Sequence, residues 1–405
     1  MASIADTSVY SARISGKTIW TFVAVRDDAG ATGWGEATLH GEAPAIRGHV
    51  ERLTPALAGH APDAARAKLD VASIRDLAEA AAVSALDQAL DDLSAQRANV
   101  PLAAHLGTPR TARVPLYANI NRGTLDRTPE GFAARAREVA DRGFDAVKIA
   151  PFDDVRPDNA PTPEGRALID RGIARIAAVR DALGPARTLM VDCHWRLTEI
   201  AAADLLRELE PYGLFWFECP LAETPEMFPA LKRLRSDANT RGIRTAGCEE
   251  LIGLPAFAAF LDAGIYDAIM PDIKYVGGHR ELMKVGAAAA KCGVICSPHN
   301  PSGPIAHVHS VHASALLETC PFLEFQYGES PLFFDIVEPG MPDPNGGISD
   351  VPRMPGLGAR IDLARLAPLV IPPDQLHTVA ATASSNPRSQ SGRPGPTSPP
   401  SEPRR

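Results

Sequence analysis

The sequence has no long hydrophobic run, few cysteines and no excess of basic residues, and each absence excludes a class of protein. No stretch reaches the roughly 18 uninterrupted apolar residues that a membrane-spanning helix needs. The formal net charge is −8, whereas a surface that binds phosphates needs clustered lysine and arginine. We therefore expect neither a membrane nor a nucleic acid as a partner.

The cysteines also form no metal-binding or disulfide pattern. No two of them have the CxxC spacing, and Cys292 and Cys296 lack the partners of a zinc site. The N-terminal stretch from Met1 to Asp6 does not combine a basic segment with an apolar one, as a secretion signal would. We expect a cytoplasmic protein with reduced thiols.

The residues that are present suit a large α/β protein with a smaller unit before it. The chain has 405 residues, of which 45% are hydrophobic, enough for a barrel of about 250 residues and a second core. Ser11–Ala37 alternates like an antiparallel meander, and the alanine-rich stretch Leu77–Ala98 is helical in pattern. We interpret residues 1–110 as an α+β capping domain.

From residue 111 to 332, short apolar strands alternate with amphipathic helices. Eight such strands predict a parallel (β/α) barrel of the TIM type rather than an open sheet. Their predicted ranges are Val114–Ile120, Ala146–Ala150, Leu189–Cys193, Leu214–Cys219, Thr245–Cys248, Ala268–Ile273, Val294–Ser297 and Leu323–Tyr327. We expect residues 333–379 to pack back on the capping domain and the Ser/Pro/Arg-rich residues 380–405 to be disordered.

Carboxylates end three successive strands of the predicted barrel. Asp192, Glu218 and Glu249 come at the ends of the third, fourth and fifth strands, where the functional groups of a barrel lie. Adjacent strands are about 5 Å apart, so the three side chains are expected to converge. A hard divalent cation would relieve their repulsion, and we predict one Mg²⁺ per active site.

Two histidines occur at the same rim. His194 lies two residues after Asp192, and His299 ends the seventh strand. Asp272, on the sixth strand, can accept a hydrogen bond from His299 and raise the basicity of its ring. We predict catalytic roles for these three residues. For His307, His309 and His312, which share a helical stretch, we favour solvent or packing roles over metal binding.

This arrangement resembles the mandelate racemase branch of the enolase superfamily. The same resemblance extends to segments across most of the chain, namely Gly33–Ala37, Ser84–Leu93, Tyr275–Gly278 and Pro355–Gly358. The resemblance implies a capping domain that closes on the substrate and a Mg²⁺ ion that stabilises an enediolate intermediate.

Two differences from the racemases indicate a subgroup. Racemases of this branch end the second strand with Lys-x-Lys, whereas this chain has Lys148-Ile149-Ala150. The motif Asp192-Cys193-His194 instead resembles the Asp-x-His of acid-sugar dehydratases such as galactonate dehydratase. That resemblance implies that the third-strand histidine is the general acid and the seventh-strand histidine the general base.

The function expected from the sequence is therefore dehydration of an acid sugar to a 2-keto-3-deoxy acid. Lys148 is expected to pair with the substrate carboxylate, and Glu329, at the end of the eighth strand, to hydrogen-bond the enediolate or a hydroxyl. An epimerase, racemase or cycloisomerase of the same superfamily is the alternative enzyme. A non-catalytic barrel is the alternative outside the enzymes. The expected partners are a small acid sugar or related carboxylate and, in a homo-oligomer, further copies of the chain.

Overall fold

The computed structural model describes residues 2–341 and 343–378, which form an N-terminal α+β unit packed on a curled parallel sheet with surrounding helices. The N-terminal unit consists of β1 (Ile4–Arg13), β2 (Ile19–Asp27), β3 (Thr32–Glu36), α1 (Ala43–Leu57), α2 (Pro62–Arg66), α3 (Leu77–Ala98) and α4 (Leu102–Leu106). Its three strands form an antiparallel meander in the order β1-β2-β3, which confirms the predicted meander.

The long helix α3 has the predicted bounds, and its ends show why. The Asp76 carboxylate caps the first turn by accepting a hydrogen bond from the Glu79 N–H at 2.8 Å. At the other end Asn99 takes a left-handed conformation with a φ of 54°, which terminates the helix. Strand β3 lies directly against α3, because Gly33 and Gly35 have no side chain to hold the two apart.

Eight parallel strands and their helices follow, as predicted. They are β4 (Arg113–Asn119), α5 (Pro129–Asp141), β5 (Ala146–Ile149), α6 (Pro163–Leu183), β6 (Thr188–Asp192), α7 (Glu199–Leu209), β7 (Trp216–Glu218), α8 (Phe228–Thr240), β8 (Arg244–Gly247), α9 (Gly253–Ala263), β9 (Ala268–Ile269), α10 (His279–Lys291), β10 (Ile295–Cys296), α11 (Pro304–Ser314) and β11 (Leu323–Gln326). The strand order is β10-β9-β8-β7-β6-β5-β4-β11.

This order makes the sheet curl into a capped TIM-type barrel, because the last barrel strand pairs with the first. At the remaining junction, between β10 and β11, the Ser297 hydroxyl donates to the Phe322 carbonyl at 2.7 Å. Side chains from six of the strands fill the interior with a separate apolar cluster that includes Tyr117, Met190 and Trp216. The barrel is therefore a packed core with its functional end at the strand C-termini.

The described residues after β11 run back across both units. They contain α12 (Leu332–Asp335), β12 (Val337–Glu338), β13 (Ile348–Asp350), β14 (Arg360–Ile361) and α13 (Leu363–Leu366). Strand β13 pairs antiparallel with β4, and the Ile371 N–H donates to the Ser11 carbonyl of β1 at 2.8 Å. The tail expected to be disordered, residues 380–405, lies outside the described residues.

Two further expectations concern the whole chain. All six cysteines are free thiols, in agreement with the reduced state expected from their spacing. Among the described residues, no helix combines the length and apolar character that crossing a membrane requires.

Candidate active site

Three carboxylates lie together at the C-terminal ends of neighbouring barrel strands. Asp192 and Glu218 are the last residues of β6 and β7 and pair in register, and Glu249 follows the end of β8. One carboxylate oxygen from each residue lies within 4.8 Å of the others, and none of the three residues is more than 5% exposed. The structure thus brings together the acids that the sequence placed at three strand ends.

The electrostatics of this cluster fit a divalent cation. Burial, followed by the charges of Asp192 and Glu218, raises the pKa of Glu249 well above its usual range. Burial also raises the pKa of Glu218, although Lys148 opposes the shift. Three crowded carboxylates supply the hard oxygen donors that Mg²⁺ prefers, and a cation among them would offset both burial and mutual repulsion.

Lys148 lies within this cluster and has a partner that sequence reasoning missed. Its Nζ is 2.6 Å from Glu218 Oε1, 3.1 Å from Glu324 Oε1 and 3.8 Å from Asp192 Oδ2. Glu324 belongs to β11 and is fully buried. The available signal was a charged residue inside an apolar strand, Leu323–Gln326, because such a residue is rarely buried without a partner.

Glu329 occupies a different place from Glu324. It lies beyond the end of β11, where its carboxylate accepts a hydrogen bond from the Thr18 hydroxyl of the capping domain. Its second oxygen is 3.4 Å from Arg122 Nη1. Of the two glutamates near the eighth strand, Glu324 is therefore the one that faces the carboxylate cluster.

His194 reaches the site through an unusual backbone turn. It has a φ of 50°, and Trp195 after it has a φ of 55°. A spacing of two residues would place His194 on the same side of an extended strand as Asp192, but β6 ends at Asp192 and the chain turns there. After this turn, His194 Nε2 is 3.0 Å from Asp192 Oδ2.

His299 is held by a buried carboxylate on its far side. Its Nδ1 is 2.8 Å from Asp272 Oδ2, so that Nδ1–H donates to Asp272 and Nε2 is left to accept a proton. Nε2 lies 3.5 Å from Glu249 Oε2. Lys274 Nζ lies 2.6 Å from the same Asp272 oxygen. Burial acts to raise the pKa of Asp272, but Lys274 and His299 outweigh it and lower the pKa.

The other histidines of the seventh-strand region have packing roles. His307, His309 and His312 are all buried in α11. His309 Nε2 is 2.8 Å from the Trp34 carbonyl, and His312 Nε2 is 2.9 Å from the Leu357 carbonyl. The packing interpretation is confirmed for these residues, and the solvent alternative is wrong.

A small cavity of about 70 Å³ adjoins Asp192 and His194. Ala150, the residue directly after β5, is among its walls. The cavity is lined by Asn121, Ala150, Phe152, Asp153, Asp192, His194 and Arg196. It therefore extends the site from the carboxylate cluster towards the loop that follows β5.

Comparison with known protein families matches both parts of the chain. The model of the enolase C-terminal domain-like family matches residues 131–365. The model of the mandelate racemase / muconate lactonizing enzyme N-terminal domain matches residues 6–107. The two matches correspond to the barrel and to the capping unit described above.

Similar proteins include dehydratases and a cycloisomerase. A D-gluconate dehydratase from Thermoproteus tenax is 34% identical over 289 residues, which cover 71% of this chain but only 56% of the relative. A D-galactonate dehydratase from Xanthomonas euvesicatoria is 29% identical over 364 residues, covering 85% of this chain and 89% of the relative. The solved 3,6-anhydro-D-galactonate cycloisomerase from Zobellia galactanivorans superposes with a TM-score of 0.79 at 27% identity, over 91% of this chain and 100% of that one.

Proposed function

Because the chain belongs to the mandelate racemase and muconate lactonizing enzyme family of the enolase superfamily, we propose that it is a Mg²⁺-dependent dehydratase of acid sugars. The observation that carries the proposal is the pair of histidines at one carboxylate cluster. His299 lies beside Glu249, and His194 lies beside Asp192. The 34% identity to a D-gluconate dehydratase supports the same reaction class.

The first step is removal of the proton next to the substrate carboxylate. His299 takes the C2 proton at Nε2, and Asp272 stabilises the imidazolium through its bond to Nδ1. Asp192, Glu218 and Glu249 would hold the Mg²⁺ ion, whose positive charge would make a C–H bond next to a carboxylate more acidic. The electron pair of the C2–H bond then resides in an enediolate.

The second step is loss of the hydroxyl from C3. His194 donates a proton from its ring to this hydroxyl, the C3–O bond breaks, and water leaves as the C2–C3 double bond forms. The enol product tautomerises to a 2-keto-3-deoxy acid. Ala150 has no titratable group, so the second-strand position used by racemases offers no proton carrier on the opposite face.

Lys148 and Glu329 are proposed to assist in binding. The Lys148 ammonium already balances Glu218 and Glu324, so a substrate carboxylate would share this charge with them. Glu329 would reach a substrate hydroxyl only by exchanging its bond to Thr18. For both residues, substrate binding would therefore change a contact that the protein already makes.

A screen of acid sugars with Mg²⁺ tests the proposed reaction. We expect at least one aldonate or aldarate to give a 2-keto acid, detected with semicarbazide, and we expect EDTA to abolish the product. His299→Asn is the matched inactive control. Inversion at C2, or an isomeric product from a cyclic acid without any 2-keto-3-deoxy acid, would instead identify an isomerase like the Zobellia neighbour.

A further inference from the structure

An arginine at the cavity beside His194 has a guanidinium that forms no ion pair with a carboxylate of the described residues, although Asp153, Asp192 and Asp154 act on its charge from further away. Arg196 Nη1 donates to the Phe152 carbonyl at 3.1 Å and lies 3.4 Å from the Val155 carbonyl. Across residues 2–341 and 343–378, no acidic side chain lies within ion-pair distance of it. Arg196 is partly buried, and burial lowers the pKa of its guanidinium. A partly buried cation in such a place gains from a further oxygen ligand beside the two backbone carbonyls.

The two neighbouring arginines differ from Arg196 in this respect. Arg127 makes a bidentate pair with Asp153, at 2.8 Å for both Nε and Nη2. Arg175 Nη1 lies 3.1 Å from the same carboxylate. Asp153, which lines the cavity, is therefore engaged by these two arginines, whereas Arg196 forms hydrogen bonds only to backbone carbonyls.

The position of the cavity decides which part of a substrate would fill it. In the proposed reaction His299 acts at C2 and His194 acts at C3. Since the cavity adjoins His194 and continues to Asn121 and Asp153, it lies where the chain beyond C3 would extend. The small side chain of Ala150 keeps this space open.

We propose that Arg196 is a specificity-determining residue that binds the oxygen atoms of the acid sugar beyond C3. This inference rests on the proposed dehydratase function and names its substrate class as acids of five or six carbons. The guanidinium presents a planar row of N–H donors, which suits either vicinal hydroxyls or a terminal carboxylate. Arg196 would therefore select substrates by their chain length and would not contact the reacting carbons.

The test compares substrates of different length in the Mg²⁺-loaded enzyme. For a six-carbon acid that the enzyme dehydrates, Arg196→Met should lower kcat/KM by roughly 10- to 100-fold, the effect of losing a charge-assisted hydrogen bond. For the four-carbon acid with the same configuration at C2 and C3, the loss should stay under about threefold, because the lost contact lies beyond its last carbon. Arg196→Lys should recover part of the difference.

Controls separate binding from a purely structural role. Arg156→Met, in the loop after β5 that Arg196 contacts but exposed and paired with Asp158, should leave both rates unchanged. Equal losses for long and short acids in Arg196→Met would overturn the inference, since a residue that only holds the Phe152 loop would affect both alike. A larger loss for an aldarate than for the matching aldonate assigns the acceptor as a terminal carboxylate, and equal losses assign it as a hydroxyl.

Calorimetric binding of the same acids distinguishes failure of this inference from failure of the proposed function. If the wild-type enzyme dehydrates none of them but binds six-carbon acids more tightly than Arg196→Met does, the proposed reaction is wrong and the subsite stands. If the two proteins bind the six-carbon acids equally, the subsite is wrong whether or not dehydration occurs.

Discussion

Several residues at this site have a left-handed backbone conformation, which determines where the neighbouring side chains point. His194, Trp195, Cys219 and Cys248 all have positive φ values, between 45° and 72°, although none is glycine. Each such conformation costs on the order of 1–2 kcal/mol. Hydrogen bonds to the next strand hold two of them, since Trp195 N–H donates to the Cys219 carbonyl and Cys219 N–H donates to the Ala246 carbonyl. The turns carry the chain from strand to loop beside each carboxylate.

The two histidines should separate the two halves of the reaction. His299→Asn should lower the exchange of the substrate α-proton with deuterated solvent by roughly 10²–10⁴-fold, because the variant lacks the proposed base. His194→Asn should retain this exchange and lose elimination, because the acid that protonates the hydroxyl is gone. NMR of the substrate in D₂O measures exchange, and the semicarbazide assay measures elimination.

Mg²⁺ affinity is the control for both substitutions, since neither removes a proposed ligand. It should change little in either variant. Wild-type exchange in His299→Asn would contradict the assignment of the base, and loss of exchange in both variants would mean that the histidines act in a single step.

The three carboxylates at the strand ends could be predicted from the sequence, whereas Glu324, which forms an ion pair within the site, could not. The clustering of Asp192, Glu218 and Glu249 could be predicted from their places at the ends of three strands alone. The role of Glu324, whose carboxylate lies 3.1 Å from Lys148 Nζ, could not be predicted in this way, because it depends on a contact between strands rather than on position along one strand. Such contacts are fixed by the register of the sheet, which no spacing in the sequence expresses.

At the scale of elements, proline decides where the last barrel strands end. The predicted strand Ala268–Ile273 is only Ala268–Ile269 in the structure, and Val294–Ser297 is only Ile295–Cys296. Pro271 and Pro298 lie just beyond these strands and have no N–H to donate to a neighbour. The number and order of the strands could be predicted from apolar periodicity. The number of residues that pair with a neighbouring strand could not.

The close contact between β3 and α3 leaves no room for a side chain at Gly35. A Cβ on Gly35 would fall on the carbonyl of Ala85 in α3, so Gly35→Ala must push the strand away from the helix. We expect a loss of about 3 kcal/mol in the free energy of unfolding, the upper range for overpacking a core. Urea denaturation followed by circular dichroism measures it.

Gly16→Ala is the matched control, because no atom lies within 4 Å of the position of its Cβ. Its free energy of unfolding should change by less than about 0.5 kcal/mol. Similar values for the two variants would mean that β3 can shift away from α3 at little cost.

At the scale of the whole molecule, the capping unit and the barrel share buried polar contacts. The Glu36 carboxylate of β3 accepts hydrogen bonds from the N–H groups of Gly303 and Ala306 at 2.8 and 2.9 Å. These residues begin α11, directly after the loop that carries His299. A movement of the cap relative to the barrel would therefore affect the position of His299, the proposed general base.

His312 joins three parts of the chain in a similar way. Its Nδ1 accepts a hydrogen bond from the Ala103 N–H of α4 at 3.1 Å, and its Nε2–H donates to the Leu357 carbonyl at 2.9 Å. The helix that holds His312 belongs to the barrel, whereas Leu357 belongs to the C-terminal segment. Only the neutral ring can make both bonds, because a protonated Nδ1 cannot accept.

Protonation of His312 should therefore weaken the assembled molecule. Burial lowers the pKa of His312 to about 4 in the native protein, against roughly 6.5 in the unfolded chain. The unfolded chain thus takes up the proton first as the pH falls. The stabilisation by the neutral ring is complete above about pH 6.5 and is lost between there and about pH 4.

The prediction compares the wild-type protein with His312→Gln across this range. The variant should be less stable at pH 7, and the difference in free energy of unfolding should shrink by about 2 kcal/mol at pH 5, since each pKa unit corresponds to about 1.4 kcal/mol. Leu357→Ala is the control, because it removes an apolar side chain from the same junction and its cost should not depend on pH. Urea titrations at both pH values give the two differences. A wild-type advantage over His312→Gln that stays constant from pH 7 to pH 5 would contradict the prediction, because it would mean that the pKa of His312 is the same in the native protein as in the unfolded chain.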